Sequence, residues 1–171
     1  MEATLARARD CEHLGAVRFL DAELAMREAK AIDAGFVREP HRFSELSFLG
    51  VPFLIKDLGA GAAGLPLTCG SALLADALRA TTDSDLAQRF RRAGLNPFGV
   101  TTAPEFGLSF GSEPHVGPVA RNPLDPTRTP GGSSGGGAAA VAAGIVAIAH
   151  ATTVGWGVGF TSSDMTVVSR R

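Results

Sequence analysis

Two serines flanked by glycines are the residues whose types and spacing first suggest chemistry. Ser133 and Ser134 lie in the segment TPGGSSGGGAAAVAAG, residues 129–144. A serine hydroxyl is a weak nucleophile until a base removes its proton, and glycines allow a backbone to approach a reacting group closely. Besides a flexible turn without chemistry, the segment therefore admits an anion-binding loop, a nucleophile elbow, or a serine paired with a distant lysine.

The first two kinds of site fit the sequence poorly. A phosphate-binding loop needs a lysine directly after its second glycine, and residues 131–140 contain none. Residues 131–135 do match the G-x-S-x-G spacing of a nucleophile elbow. That elbow requires a preceding strand and then an acid followed by a histidine, whereas here DPTRTP precedes it and His150 comes before Asp164. We therefore favour the third kind of site.

Lys56 is the lysine in the best setting to activate a serine. It follows the apolar run Val51–Ile55, and Lys30 is the only other lysine in the sequence. Lysine is normally charged at neutral pH, so it can accept a proton only where apolar burial lowers its pKa. A lysine at a strand end also commonly extends its amine to water. From this stretch alone, the two interpretations of Lys56 stay equally open.

The elements that would position these residues alternate between strands and helices, which indicates an α/β fold. Asp21 is a candidate cap for one helix, and Asp83 or Ser84 for another. The predicted order is a helical segment at 3–9, a strand at 17–19, a helix at 22–34, polar turns at 35–47, a strand at 50–57, a helical patch at 72–78, a helix ended by Gly94, a strand at 95–100 weakened by Pro97, and a buried helix running into a core strand at 138–149. Six prolines between 104 and 130 predict a long loop that lines a functional site or leads to one.

Composition restricts the class of protein. A hydrophobic content of 45% with a net charge of −1 describes a globular protein without the basic excess that binds nucleic acid or an acidic membrane. Cys11 and Cys69 are too few and too far apart for a disulfide framework or a zinc site, and we expect both to be buried hydrophobes in a reducing compartment. The N-terminus has no apolar segment typical of a signal peptide. We therefore expect a cytoplasmic location and no membrane partner.

Several stretches in chain order resemble the amidase signature family. They are GVPFLIKD, TCGS, TDSDLAQRFRRAG, PEFG and ARNPLDPTRTPGGSSGGGAAAVAAG. The similarity covers residues 14 to about 151, and the glycine–serine motif with its NPxDPxRTP lead-in is highly specific. The resemblance implies an α/β/α fold around a mixed sheet and hydrolysis of amides through a Ser–cis-Ser–Lys triad. It implies a small-molecule amide substrate and neither a metal nor an organic cofactor.

The resemblance also assigns roles to individual residues. Lys56 falls on the catalytic lysine, which acts as general base, and Ser133 on the bridging serine held by an unusual cis peptide bond. Ser133 would relay a proton between Lys56 and the nucleophile. Gly131 and Gly132 would let the backbone approach the reacting groups, and Ser134 is expected to be a loop residue bonded to its neighbours.

The resemblance fades near the C-terminus of the sequence. The family places its nucleophilic serine about two dozen residues after the bridging serine, where this chain has Gly157. The nucleophile is therefore unknown, with Ser162 and Ser163 as less favoured candidates. We expect residues 1–151 to be the N-terminal portion of an amidase domain with an incomplete fold, and 152–171 to be a divergent tail produced by a frameshift or an early stop.

These expectations leave more than one function open. The main one is an amidase by family whose chain here is inactive, with exposed edges beside the strand around Ile55. A second is an A-type subunit of a glutamine amidotransferase for tRNA-linked amidation, which requires a partner subunit. A third is a non-catalytic remnant or binding module. Neither the amide substrate nor self-association into a homo-oligomer can be derived from the sequence.

Overall fold

A computed structural model describes residues 1–76 and 79–152, which form a four-stranded mixed sheet packed against helices. The strands are β1 (Val17–Leu20), β2 (Pro52–Lys56), β3 (Asn96–Thr101) and β4 (Ile148–Ala149), in the order β1-β3-β2-β4. The helices are α1 (Glu2–Asp10), α2 (Ala22–Arg38), α3 (Pro40–Ser44), α4 (Asp85–Arg92) and α5 (Gly135–Ala142). β1 runs antiparallel to β3, and β2 runs parallel to both β3 and β4. The predicted α/β class with a mixed sheet is confirmed.

The alternation of side chains along β2 decides where Lys56 points. Ile55 packs into a cluster that also contains Leu24 and Ala87, from α2 and α4. Leu54 packs into a second cluster, with α1 and α5. Because successive strand side chains face opposite sides of a sheet, Lys56 shares the face of Leu54 and is directed toward α5. The expected exposed edge beside Ile55 is wrong, since β3 and β4 flank β2 and Ile55 is 0% exposed.

The predicted strand that contains Pro97 is confirmed as β3, which lies inside the sheet. Phe53 pairs with Pro97 and Leu54 with Gly99, so Phe98 is an extra residue at a bulge between β2 and β3. Proline cannot donate a ladder hydrogen bond, and a bulge is one of the few places where a sheet tolerates this. All six residues of β3 are buried.

The helix starts follow local capping signals. Asp21 Oδ1 accepts a hydrogen bond of 2.9 Å from Leu24 N at the start of α2, as predicted. Ser84 caps α4 through Ala87 N at 3.3 Å, while Asp83 binds the distant Ala63 N at 2.8 Å. Of the two predicted caps for this helix, Ser84 is the one that acts.

The prediction of polar turns over 35–47 is wrong. α2 continues to Arg38, and α3 follows at Pro40 after a one-residue break. The ring of Phe43 packs so closely on Gly35 that an added Cβ there would lie 2.4 Å from it. This tertiary contact between α2 and α3 overrides the polar character of the local sequence.

The long proline-rich loop is confirmed, and the following helix starts earlier than predicted. Between β3 and α5 the chain forms one 3₁₀ turn, Glu105–Gly107, and one isolated bridge. α5 begins at Gly135, inside the glycines, because a Cβ on Gly136 would lie 2.4 Å from the carbonyl oxygen of Thr102. The glycines thus permit close packing of the helix on the strand end.

The outcomes of the other predictions differ from one another. The helical patch at 72–78 is a 3₁₀ turn, Ala72–Leu74, within the described residues. Both cysteines are free, but only Cys11 is buried, whereas Cys69 is half-buried. Within residues 1–76 and 79–152, no helix has the length and apolar character to cross a bilayer. The proposed tail boundary at residue 152 coincides with the end of the described chain, so the two-part division stays a prediction.

Candidate active site

The structure brings Lys56 and Ser133 together at the end of β2. The amine of Lys56 donates a hydrogen bond of 2.8 Å to Ser133 Oγ, although the two residues are 77 positions apart. The same amine donates a bond of 2.8 Å to Thr152 Oγ1, and a longer one of 3.4 Å to the Thr152 carbonyl. Lys56 is 0% exposed. The interpretation of Lys56 as a lysine that reaches water is therefore wrong.

Burial determines the protonation of this lysine. Desolvation lowers the pKa of Lys56 from 10.5 to about 8. The hydrogen-bond partners of its amine in the described part of the chain are neutral oxygens of Ser133 and Thr152. No carboxylate therefore holds the charged form in place. A substantial fraction of the amine is neutral near physiological pH, as general-base chemistry requires.

Backbone segments pack closely around Ser133. The Gly132–Ser133 peptide bond is cis, as the family resemblance implies, and Gly131 has a φ of +85°. A Cβ on Gly132 would lie 2.7 Å from the carbonyl carbon of Phe110, so a side chain at this position would clash with backbone. A Cβ on Gly107 would lie 3.7 Å from Ser133 Oγ. Gly132 thus permits close approach to the backbone of Phe110, and Gly131 has a backbone conformation that favours glycine.

Ser134 binds a near neighbour through its backbone, since its carbonyl oxygen accepts from Ala138 N at 3.1 Å, and it binds a distant residue through its side chain. Its hydroxyl donates to the Thr152 carbonyl at 3.0 Å and accepts from Thr152 N at 3.2 Å. Thr152 therefore connects Lys56 to Ser134. Sequence reasoning missed Thr152 because it lies where the resemblance fades. A serine–threonine pair separated by 18 residues carries no local signal.

Ser112 is a second polar residue that the sequence did not reveal. Its side chain is buried, and its hydroxyl donates to the Gly131 carbonyl at 3.1 Å. The same hydroxyl accepts from Gly135 N at 3.0 Å. Gly135 opens α5, whose first N–H groups lack partners within the helix. Ser112 thus binds both ends of the short segment that contains Ser133.

The residue after Lys56 belongs to a buried ionic network. Asp57 is 0% exposed and forms an ion pair of 2.9 Å with Arg18 Nε. Its carboxylate also accepts from Thr68 N at 2.6 Å, from Gly70 N at 3.1 Å and from the Thr68 hydroxyl. The hydroxyl of Thr68 in turn accepts a bond of 2.8 Å from Arg18 Nε. Each charge in this network has a partner of opposite sign together with neutral hydrogen bonds.

His150 lies on the other side of the sheet from Ser133. Its ring packs against Phe90 at 5.3 Å between centroids, and its backbone N–H binds the Leu54 carbonyl at 2.9 Å. Burial, and secondarily the charge of Lys56, lowers the pKa of His150 to about 4. The imidazole is thus neutral at physiological pH. It contributes packing to the wall of the sheet near the lysine.

The remaining candidate residues lie outside the described part of the chain. These are Gly157, at the position predicted for the nucleophile, and the alternatives Ser162 and Ser163. Across residues 1–76 and 79–152, no three His, Cys, Asp or Glu side chains are grouped to hold a metal ion. What the structure assembles is a buried lysine–serine pair, braced by Thr152 and Ser112.

Comparisons with known proteins give related enzymes. A family model described as amidase matches residues 1–157. The A subunit of the glutamyl-tRNA(Gln) amidotransferase from Treponema pallidum (strain Nichols) is 46% identical over 110 residues, 64% of this chain and 21% of that protein. The corresponding protein of Anaeromyxobacter dehalogenans (strain 2CP-C), which has the same name, is 39% identical over 156 residues, 91% of this chain and 31% of that protein.

The fold shows the same relationship. A solved structure of 6-aminohexanoate cyclic dimer hydrolase complexed with substrate superposes with a TM-score of 0.73 at 35% identity, covering 88% of this chain and 29% of that one. The chain thus spans between 21% and 31% of the length of these relatives. Since the family model covers nearly the whole sequence and the sheet and helices superpose on a solved relative, the chain belongs to the amidase family.

Proposed function

We propose that this chain carries the lysine–serine part of an amide-hydrolysing Ser–Ser–Lys site. Lys56 is the general base and Ser133 the bridging serine. The observation that carries the proposal is the 2.8 Å hydrogen bond between the fully buried Lys56 amine and Ser133 Oγ. A desolvated amine next to a hydroxyl can exchange a proton with it, which is what activation of a serine nucleophile requires.

The proposed reaction proceeds in two stages. Neutral Lys56 takes the proton of the Ser133 hydroxyl, and the Ser133 oxygen in turn takes the proton of the nucleophilic hydroxyl. The oxygen of the nucleophile attacks the carboxamide carbon at the same time. The proton returns through Ser133 to the leaving nitrogen as the C–N bond breaks, releasing ammonia or an amine. Water then attacks the acyl-enzyme through the same relay and yields a carboxylate. The nucleophile stays unassigned, because Gly157 has no hydroxyl.

A second candidate function is hydrolysis of glutamine as the A-type subunit of a tRNA-linked amidotransferase. The relatives from Treponema pallidum and Anaeromyxobacter dehalogenans carry that name, which favours it. This function requires partner subunits, and stable co-purification with one would support it. In either case, the two free cysteines are compatible with a reducing compartment such as the cytoplasm.

The proton affinity of Lys56 gives the first test. The sequence has only two lysines, so a ¹⁵N-lysine NMR titration contains two side-chain signals, and the Lys56→Met variant identifies the one that belongs to Lys56. We expect Lys56 to titrate near pH 8. Titration at the ordinary lysine value of 10.5 would contradict a base at this position.

Catalysis gives the second test. We expect the chain itself to release no ammonia from primary amides, and the Gly157→Ser variant to show hydrolysis that disappears when Lys56→Met is added. Hydrolysis that survives Lys56→Met would remove the lysine from the mechanism. Labelling of the unmodified chain with a fluorophosphonate probe is the companion measurement, and modification of Ser162 or Ser163 would assign a displaced nucleophile.

A further inference from the structure

We propose that the cavity along residues 104–115 is the substrate-side pocket of this site and accepts an amide whose non-reacting end carries a primary ammonium group. The cavity has a volume of about 430 Å³, within the range of small-molecule sites. The inference rests on the proposed function, since it names the class of amide that would reach Ser133. It comes from the position, the charge and the apolar surface of this loop.

The loop that forms the cavity also borders Ser133. Phe106 and Leu108 line the cavity, and Gly107 between them approaches Ser133 so closely that a Cβ there would lie 3.7 Å from the serine oxygen. The φ of Gly107 is +73°, a conformation that favours glycine. A molecule held against Phe106 and Leu108 therefore lies on the loop that contacts Ser133.

The charge of the lining is negative. Glu105, Glu113 and His115 are the ionisable residues of the lining, and among its described lining residues there is neither lysine nor arginine. Glu105 Oε1 accepts a bond of 2.6 Å from Ser71, while Oε2 forms no hydrogen bond with the described residues. Glu113 has only a partly exposed Arg121 at 3.7 Å, a weak pair. The two carboxylates therefore repel an anionic substrate and attract an ammonium group.

The apolar side chains of the lining indicate that the substrate contains an aliphatic chain. Leu108 is 82% exposed and Phe106 is 42% exposed, although large apolar side chains are usually buried. Phe106 is held in place because its backbone N–H donates to the Cys69 carbonyl at 2.8 Å. Its ring can pack on methylene groups, and an aromatic face also attracts an ammonium ion. A short aliphatic chain ending in an amine fits both features.

Three primary amides that each contain five carbons test the pocket. They are 5-aminopentanamide, pentanamide and glutaric acid monoamide, which are cationic, neutral and anionic. Each is titrated into the ¹⁵N-labelled 171-residue chain, and the amide signals of residues 104–115 are followed by NMR. We expect the cation to bind about five-fold more tightly than the neutral amide, and the anion to bind most weakly. Equal affinity for all three, or shifts only outside this loop, would overturn the proposal.

Matched variants separate charge from folding. Glu113→Gln combined with Glu105→Gln is expected to abolish the preference for the cation and leave the affinity for pentanamide unchanged. Glu39→Gln, an exposed acid outside the cavity, is expected to retain the preference. Glu113→Gln alone changes an exposed side chain and provides the test if the double variant does not fold. A preference that persists in the folded double variant, or persists undiminished in Glu113→Gln, would contradict the pocket.

Binding is measured without turnover, so the two proposals fail separately. If the amides bind in this order while Lys56 titrates at its ordinary value, the proposed function is wrong and the pocket stands. If Lys56 titrates near pH 8 while the three amides bind equally, the substrate class is wrong and the lysine–serine site stands.

Discussion

Lys56 and Asp57 are adjacent in the sequence and equally buried, but their surroundings are opposite. Both side chains are 0% exposed. Asp57 has the guanidinium of Arg18 at 2.9 Å and three further donors from Thr68 and Gly70. The Lys56 amine has hydroxyl and carbonyl oxygens, and no carboxylate within hydrogen-bonding distance among the described residues.

This difference distinguishes the charge of Asp57, which stabilises the fold, from the amine of Lys56, which can exchange a proton. A buried charge with a close counter-ion and saturated hydrogen bonds stays charged, and its loss leaves the partner buried and unpaired. A buried amine with neutral partners is instead driven toward its neutral form by desolvation. The peptide bond between these residues thus joins a fixed anchor to a group that can exchange its proton. Perturbed groups of this kind are concentrated at functional sites.

The largest expected effect comes from Asp57→Asn, which removes the negative charge of the buried carboxylate. Arg18 would then be buried without a counter-ion, so we expect the free energy of unfolding to fall by about 3–5 kcal/mol. Urea denaturation followed by circular dichroism measures this. Asp125→Asn is the matched control, because Asp125 also pairs with an arginine but at the surface, and its midpoint should not move. Equal effects of the two variants would contradict a structural role for Asp57.

A second test uses the pH dependence of stability. The pKa of Lys56 falls from 10.5 to about 8 on folding, so between these values the unfolded chain binds more protons than the folded one. The free energy of unfolding should therefore rise with pH across this interval, by at most about 1.4 kcal/mol per pH unit, and stay flat below pH 8 with respect to this group.

The control for this test is Lys56→Met, which has no amine to titrate. Urea denaturation of both proteins at several pH values from about 7 to about 10 gives the difference between their unfolding free energies. We expect that difference to grow with pH in favour of the lysine protein. Parallel curves would show that folding leaves the pKa of Lys56 unchanged.

The smallest expected effect comes from a single hydroxyl of the anchor. Thr68→Val removes the bonds of the hydroxyl with Asp57 and Arg18 but keeps the backbone N–H bond and the Arg18–Asp57 ion pair, so the loss of stability should be about 1–2 kcal/mol. Thr127→Val is its control, because Thr127 makes the same hydroxyl–carboxylate bond to Asp125 on the surface. An undiminished unfolding midpoint in Thr68→Val would mean that the network is not cooperative.

Local signals predicted many of the elements. Asp21 and Ser84 cap α2 and α4 through bonds that span three residues, and such bonds depend on little beyond the immediate sequence. The apolar run before Lys56 predicted β2 for the same reason. The predictions failed where a distant partner intervenes. Phe43 packs against Gly35, and a short helix lies where turns were expected.

The sequence by itself determined the α/β class, the motif that contains Ser133 and the apolar setting of Lys56. The family resemblance already implied that these two residues meet. Only the tertiary structure decided that Thr152 and Ser112 brace them, and that Arg18 neutralises Asp57 while the amine beside it has no counter-ion among the described residues. The physical reason is one of range. Caps and periodicity are formed within a few residues, whereas burial and charge pairing depend on the register of strands and the packing of helices that distant segments supply.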